Sequence, residues 1–183
     1  MKTPSITKGS PTDTILHVAL AAMLVLFCGA LYNALHETIV NAGDNAPDFS
    51  ITASVNGQGS KTVTAKDFGG KLLLLNFWAT WCPPCVEEIP GLNGLAQELG
   101  PKGLVILGVS VDKDADAFQQ FLRRTPLAYP TARDPEQKIN SSYGTVQYPE
   151  SYLIDRNGKV IEKYISVQPW ASPQMIQHVQ SLL

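Results

Sequence analysis

The stretch FWATWCPPCVEEIP, from Phe77 to Pro90, joins a strongly apolar segment to an amphipathic one and holds two of the chain's three cysteines. The apolar run Leu72 to Phe77 has the length of a strand that is covered on both faces of a parallel sheet. After the cysteines, apolar residues recur at helical spacing until Gly100 and Pro101. These residues are Val86, Ile89, Leu92, Leu95, Ala96 and Leu99. The stretch therefore predicts a buried strand followed by a helix that starts at the cysteine pair.

The segments on both sides of this junction predict a mixed α/β domain. Leu104 to Val111 is a second apolar run, so it completes a strand, helix, strand unit with two parallel strands. Turn residues and apolar periodicity predict the other elements. In chain order these are a hairpin of Phe49 to Val55 with Lys61 to Val63, a helix at Ala115 to Arg124, a hairpin of Ser151 to Asp155 with Lys159 to Ile165, and a helix at Pro173 to Leu183.

Charge and cysteine content narrow the class of protein. The formal net charge is -2 and the basic residues form no cluster, so no nucleic-acid partner is expected. Three cysteines are too few for the disulfide framework of a small secreted domain, which leaves one close pair and Cys28. A chain of 183 residues is long enough for one full core and an additional segment at one end.

That additional segment is the apolar stretch Thr14 to Leu35, which has no Asp, Glu, Lys or Arg and reaches the roughly 20 residues that a helix needs to cross a bilayer. Lysines precede it and acidic residues follow it, so the positive-inside rule leaves residues 1–13 in the cytoplasm. We predict an uncleaved anchor at residues 14–35, a linker at 36–45 and an extracytoplasmic domain at 46–183. A signal peptide cleaved near Cys28-Gly29-Ala30 is the alternative, because small residues stand there.

The position of the cysteine pair favours redox chemistry. The N-terminus of a helix has unpaired N–H groups and a dipole that favour negative charge, so Cys82 is the expected attacking thiolate. Cys85, one turn further along, is placed to attack the resulting mixed disulfide and release the product. Pro83 and Pro84 suit the first helical positions but offer no N–H group. We therefore expect only moderate stabilisation of the Cys82 thiolate and a reducing couple.

Other uses of the pair agree less well with the sequence. A zinc site needs four ligands, and after the anchor the chain adds only His36 and His178 to the two thiols. A cysteine protease needs a base for its thiol, and neither histidine has the sequence context of one. A disulfide with a purely structural role stays open at this point. No metal and no organic cofactor are expected.

Three motifs occur in order along the chain: APDF at 46–49, NFWATWCPPC at 76–85 and YPESYLID at 148–155. Together they resemble the thioredoxin superfamily and, within it, the membrane-anchored TlpA/ResA-like reductases, including those of cytochrome c maturation. The resemblance implies a thioredoxin-like fold outside the bacterial inner membrane, with an N-terminal hairpin extension and a central insertion, here Asp112 to Tyr143. It also implies protein thiol or disulfide clients, apocytochrome c among them, and a membrane reductant-transfer protein as electron donor.

The resemblance assigns further site residues by position. Pro149 matches the family's cis-proline, which borders the client groove; a cis bond costs little before proline. The residues expected to bind the client with it are Trp81, Pro83, Pro84, Tyr148 and Glu150. Tyr148 departs from the small residues common before this proline, which bears on client selectivity. Trp78 is expected in the core.

Asn76 and Glu88 are the two residues that bear on which group accepts the proton of the second cysteine, Cys85. Thioredoxins themselves carry a buried aspartate at the position of Asn76, and an amide cannot accept that proton. Glu88 lies one helical turn after Cys85 and matches a family glutamate. We expect it to be a partly buried carboxylate with a raised pKa that shuttles the proton, whereas Glu87 points to solvent.

The residues and the resemblance together predict an anchored oxidoreductase that reduces protein disulfides by ping-pong dithiol exchange. A thiol peroxidase of the peroxiredoxin branch is one alternative, because it shares the fold and the APDF opening. The peroxidase spacing Pro-x-x-x-Thr-x-x-Cys is absent, since Ala79 stands three residues before Cys82. A non-catalytic binding module of the same fold is a third class, and the intact cysteine pair argues against it.

Overall fold

The computed structural model describes residues 11–35, 39–55 and 57–183. The chain divides near residue 38 into an N-terminal helix and the domain that follows it. Helix α1 (Pro11–Leu35) contains the candidate membrane span Thr12–Tyr32. With 21 residues and a mean hydropathy of 2.3, this span is long and apolar enough to cross a bilayer, and its side chains are exposed. Most of the predicted segment 1–13 and part of the predicted linker 36–45 lie outside the described residues.

Among the described residues, seven strands form one mixed sheet in the order β2-β1-β5-β4-β3-β6-β7. They are β1 (Ser50–Val55), β2 (Gln58–Thr64), β3 (Leu72–Trp78), β4 (Leu104–Ser110), β5 (Thr131–Arg133), β6 (Glu150–Ile154) and β7 (Val160–Ile165). Strands β3, β4 and β5 run parallel to one another, and every other neighbouring pair is antiparallel. The two predicted hairpins are thus β1 with β2 and β6 with β7.

The domain's helices cover both faces of this sheet. They are α2 (Pro83–Leu99), α3 (Ala115–Arg124), α4 (Lys138–Tyr143) and α5 (Pro173–Ser181). Buried residues of α2, α3 and α5 pack in one cluster, and those of α4 pack with the N-terminal hairpin in the other. The cysteine pair belongs to the first cluster, so it lies on the α2 face of the sheet.

The alternation of side chains along the strands decides which polar residues meet on each face. Leu74 packs in the α2 cluster and Leu75 in the α4 cluster, as successive residues of a strand should. By the same alternation Asn76 lies on the α2 face, together with its antiparallel partner Ser151. Glu150, one residue before Ser151, lies on the α4 face.

The predicted fold class, a thioredoxin-like α/β fold with an N-terminal hairpin, is confirmed. The predicted boundaries are wrong in places: β2 begins at Gln58 instead of Lys61, and α5 ends at Ser181 instead of Leu183. The sequence predicts neither β5 nor α4, both within Asp112 to Tyr143. These elements have three and six residues, too few for a periodic apolar pattern.

Candidate active site

The cysteine pair lies where strand β3 gives way to helix α2. Cys82 is the N-cap residue of α2, and Cys85 lies in its first turn. The two residues form a disulfide with their Cα atoms 5.3 Å apart. Cys82 exposes 5% of its surface and Cys85 only 1%. Cys82 therefore carries the sulfur that a client can reach first.

The two prolines leave the Cys82 sulfur with few donors. An N-cap side chain accepts hydrogen bonds from the second or third helical N–H group, and here the first two helical residues are Pro83 and Pro84. The remaining donor is the Cys85 N–H, whose nitrogen lies 3.3 Å from Cys82 Sγ. The sulfur thus benefits from the helix N-terminus, but this cap supplies one backbone donor instead of two, as the prolines predict.

A buried carboxylate fixes the loop that leads into the pair. Asp112 accepts hydrogen bonds from the Thr80 N–H at 2.9 Å and from the Thr80 hydroxyl at 2.6 Å. The Ser110 hydroxyl donates to the same carboxylate at 2.5 Å, so the loop is tied to the end of β4. Sequence reasoning missed Asp112, because its partner Thr80 lies 32 residues away and no local pattern connects them.

Two aromatic side chains bring the cysteine segment and the proline segment together. Trp81 is 63% exposed, and its ring centroid lies 6.0 Å from that of Tyr148 in an edge-to-face arrangement. The Tyr148 hydroxyl donates to Asn140 Oδ1 at 3.0 Å, which anchors the ring to α4. The bond between Tyr148 and Pro149 is cis. Pro149 itself is buried, whereas Pro83 and Pro84 are exposed beside Trp81.

Glu88 is buried on the α2 face, one helical turn after Cys85. It is 4% exposed, while Glu87 points to solvent as predicted. Asn76 Nδ2 donates to Glu88 Oε1 at 2.9 Å, and Trp170 Nε1 donates to Glu88 Oε2 at 3.0 Å. Burial raises the pKa of Glu88, and the hydrogen bonds from Trp170, Asn76 and the Gln168 backbone N–H oppose that rise only in part. All these donors are neutral.

Asn76 therefore contacts the carboxylate that was expected to replace the thioredoxin aspartate. Its amide also donates to Ser151 Oγ at 2.9 Å, which fixes the amide orientation between β3, β6 and α2. Trp170 is a further contact that sequence reasoning missed, because it lies 82 residues after Glu88 in a loop. Trp78, in contrast, is buried in the core as predicted.

Glu150, which was expected to contact the client, lies buried among internal groups of the domain. Its carboxylate is 2% exposed and pairs with Lys163 Nζ at 2.8 Å. The Tyr152 hydroxyl donates to the same oxygen at 2.6 Å. A direct role of Glu150 in client binding stays a prediction, and its observed contacts are internal. No group of three His, Cys, Asp or Glu residues in the described part of the chain could hold a metal ion.

A redox-active pair at the N-cap of a helix, on a thioredoxin-like sheet with a cis-proline segment beside it, defines a thiol-disulfide oxidoreductase. Comparison with known proteins agrees. The AhpC/TSA family model matches residues 42–163. The thiol-disulfide oxidoreductase ResA of Bacillus thuringiensis subsp. konkukian is 36% identical over 147 residues, which cover 77% of this chain and 83% of that relative. The ResA of Geobacillus thermodenitrificans is 34% identical over 146 residues, 80% of each chain.

The chain thus belongs to the ResA-type thiol-disulfide oxidoreductases within the AhpC/TSA family. Among solved structures, a candidate thiol:disulfide interchange protein DsbE from Chlorobium tepidum is 30% identical with a TM-score of 0.70, over 79% of this chain and 99% of that one. The exposed lipoprotein thioredoxin Etrx1 of Streptococcus pneumoniae is 25% identical with a TM-score of 0.63, over 75% of this chain and all of the other. These names indicate an enzyme instead of a binding module.

Proposed function

We propose that the chain is a membrane-anchored, extracytoplasmic reductant of protein disulfides. The observation that carries the proposal is the Cys82–Cys85 disulfide at the N-cap of α2, with Cys82 the more accessible sulfur and with two prolines limiting its donors. A sulfur with few stabilising donors is a less stable thiolate, so the dithiol form gives up its electrons more readily. The pair therefore favours reduction of a client over its oxidation.

The reaction proceeds in two exchanges. The Cys82 thiolate attacks a client disulfide, forms a mixed disulfide and displaces one client thiolate, which takes a proton. The Cys85 thiol then loses its proton and attacks Cys82 Sγ, which forms the Cys82–Cys85 disulfide and releases the second client thiolate. The client gains two electrons and the pair loses two. A reduced dithiol protein of the membrane restores the pair by the reverse exchanges.

Glu88 is the acceptor that we propose for the Cys85 proton. The two residues are three apart in α2 and therefore neighbours on one helix face. A carboxylate whose pKa is raised by burial is a stronger base than an exposed one. Asn76 keeps this carboxylate oriented but cannot take the proton itself.

The client would bind across the aromatic surface next to the pair. Trp81 offers exposed apolar area immediately before Cys82, and Tyr148 extends that area toward the cis-proline. Pro83, Pro84 and Pro149 complete the surface that we propose for an extended client segment. Large rigid aromatic rings bury much area at a small cost in conformational entropy, which suits clients of varied sequence.

Helix α1 supports the proposed location. Its span Thr12–Tyr32 is long and apolar enough to cross a bilayer. The lysines before it and the acidic residues after it favour an orientation with the domain outside the cytoplasm. Cys28 lies within this span and is exposed, as a residue facing lipid would be. Apocytochrome c is the client that we propose, since its haem-attachment cysteines must be reduced, and a membrane reductant-transfer protein is the proposed donor.

The family name AhpC/TSA also favours a second candidate, a thiol peroxidase. Such an enzyme needs a threonine hydroxyl and an arginine beside its reactive sulfur. Here the Thr80 hydroxyl donates to Asp112, and the Arg133 guanidinium donates to the Asp112 and Lys113 carbonyl oxygens. Reduction of hydrogen peroxide by the full-length protein, coupled to dithiothreitol, tests this candidate. Turnover that rivals disulfide reduction would establish it.

Reduction of insulin disulfides by the detergent-solubilised protein, with dithiothreitol as donor, tests the main proposal. We expect Cys82→Ser to abolish catalysis and Cys85→Ser to accumulate a mixed disulfide through Cys82. Cys28→Ser is the matched control, because this third cysteine lies outside the domain, and it should retain full activity. Catalysis that survives Cys82→Ser would refute the assignment of the attacking sulfur.

A further inference from the structure

The Glu88 carboxylate is held from outside its own helix by a loop that precedes α5. Trp170 Nε1 donates to Glu88 Oε2 at 3.0 Å, and the backbone N–H of Gln168 donates to the same carboxylate. The Trp170 ring is fully buried and packs edge to face with Tyr164, their centroids 5.1 Å apart. The loop is itself held by a hydrogen bond from the backbone N–H of Trp170 to the Gln168 carbonyl oxygen at 2.9 Å.

The same loop forms one wall of an open cavity beside Glu88. An open cavity of about 480 Å³ lies between α2 and the loop, and its lining includes Glu87, Glu88, Gly91 and residues 167–172. Trp170 packs so closely against α2 that a Cβ atom added at Gly91 would lie 3.2 Å from Trp170 Cβ. The backbone and Cβ of Trp170 are therefore packed tightly against the helix that carries both Cys85 and Glu88.

We propose that Trp170 is a positioning residue for proton transfer during thiol-disulfide exchange. Its indole N–H holds one oxygen of the Glu88 carboxylate, while Asn76 holds the other, so the carboxylate keeps one orientation on the α2 face. The cavity beside it is the route by which Glu88 exchanges its proton with water. The inference rests on the proposed function, because it assumes that Glu88 accepts the Cys85 proton.

The step is balanced within the exchange already described. The Cys85 S–H bond breaks, its proton passes to Glu88, and the new thiolate displaces the client sulfur from Cys82. The neutral Glu88 then returns the proton to the departing client thiolate or to water in the cavity. Trp170 donates a hydrogen bond throughout and is neither oxidised nor protonated.

Few other titratable groups face Glu88 in the described part of the chain. Cys85 lies on the same helix face, and Glu87 lines the same cavity from the next position. Tyr129 stands close enough that the Glu88 charge adds to burial in raising the pKa of Tyr129. Tyr164 contacts the Trp170 ring. Neither phenol ionises near neutral pH. The decrease of the exchange rate at low pH, which we call the acidic limb of its pH profile, therefore reports the protonation of Glu88.

The test is the rate at which Cys85 displaces thionitrobenzoate from its mixed disulfide with Cys82, measured against pH in the full-length Cys28→Ser protein. The indole N–H of Trp170 stabilises the charged Glu88 carboxylate. Trp170→Phe should therefore raise the acidic midpoint, the pH at which the acidic limb reaches half of the maximal rate, by about one pH unit. It should also slow the displacement below that midpoint by about tenfold, which is the same shift expressed as a rate.

Trp78→Phe is the matched control. Trp78 is another buried tryptophan of the same cluster, and its Nε1 atom has no hydrogen-bond partner in the part of the chain that the structure describes. Both substitutions remove the same volume and the same N–H group, but only one removes a bond to Glu88. Trp78→Phe should destabilise the fold and leave the acidic midpoint where it was. Equal midpoint shifts in both variants would overturn the proposal.

Two further variants separate the possible failures. If Trp170→Phe does not fold, replacing Trp170 with benzothienylalanine keeps the ring shape without the N–H group, and the same shift is expected. Glu88→Gln should remove the acidic limb entirely. If that limb persists in Glu88→Gln, the proposed role of Glu88 fails. If the limb is lost in Glu88→Gln but unmoved by both Trp170 changes, only the positioning role of Trp170 fails.

Discussion

The two buried glutamates next to the active site occupy opposite faces of one sheet and have opposite electrostatic surroundings. Glu88, on the α2 face, is held by the neutral donors Asn76, Trp170 and the Gln168 N–H. Glu150, on the α4 face, pairs with the cation of Lys163 and accepts from Tyr152. Burial among neutral groups favours the protonated form of a carboxyl group, and an ion pair favours its charged form. The difference suggests proton transfer for Glu88 and structural support for Glu150.

The largest effect is expected from breaking the ion pair. Lys163→Met leaves the Glu150 carboxylate buried without its cation, which should lower the free energy of unfolding by about 3–5 kcal/mol. Urea unfolding of the oxidised protein measures the loss. The double variant Glu150→Gln with Lys163→Met should recover most of it, because no buried charge remains. A single-variant loss well under 1 kcal/mol would show that the carboxylate is not held as a charge.

The next effect distinguishes the two carboxylates in catalysis. Glu88→Gln keeps the shape of the side chain but removes the base, so closure of the Cys82–Cys85 disulfide at neutral pH should slow about 100-fold. Glu150→Gln should slow it much less, since Glu150 touches internal groups only. Single-turnover kinetics with glutathione mixed disulfide on Cys82 provide the comparison. Similar losses in the two variants would remove the functional distinction.

Asn76→Asp sharpens the comparison by placing a second carboxylate in the surroundings of Glu88. The amide nitrogen of Asn76 lies 2.9 Å from Glu88 Oε1, so a second carboxylate there would compete for the same proton. Like charges at this distance raise one pKa strongly, and the acidic midpoint of the exchange rate should rise by at least about one pH unit. The rate profile against pH measures it. An unchanged midpoint would mean that Glu88 does not control the profile.

The smallest effect concerns stability. The pKa of Glu88 in the folded protein lies above its ordinary value of 4.5, so the folded state binds the proton more tightly than the unfolded state. The resulting stabilisation is fully present below pH 4.5 and is lost as the pH rises through the folded pKa. Urea unfolding of the oxidised wild type should show this decline, and Glu88→Gln should not. Parallel curves for the two proteins would place the titration elsewhere.

The sequence predicts the parts of the molecule that depend on local patterns. The strand β3 and helix α2 follow from continuous and periodic apolar residues, and Cys82 as the N-cap residue follows from the prolines after it. The choice of Glu88 as the buried carboxylate follows from the family resemblance and from the absence of the thioredoxin aspartate at Asn76. These features need no knowledge of distant segments.

The remaining features depend on contacts between distant segments. Trp170, Asp112 and Lys163 each meet a site residue only after the sheet and the final loop have formed. The strand alternation that sends Ser151 to one face and Glu150 to the other becomes decisive only when the pairing register of β6 is known. The client contact that the sequence motif suggested for Glu150 stays a prediction, while the structure shows its carboxylate in an internal ion pair with Lys163.

The most direct test of the account is the redox potential of the Cys82–Cys85 pair, measured in the full-length Cys28→Ser protein equilibrated with glutathione or dithiothreitol buffers. A single backbone donor from the helix cap and two prolines at the start of α2 predict a reducing couple, with a potential near the value of about -270 mV found for thioredoxin. A potential near about -120 mV, that of a strong oxidant, would contradict the proposed direction of electron flow.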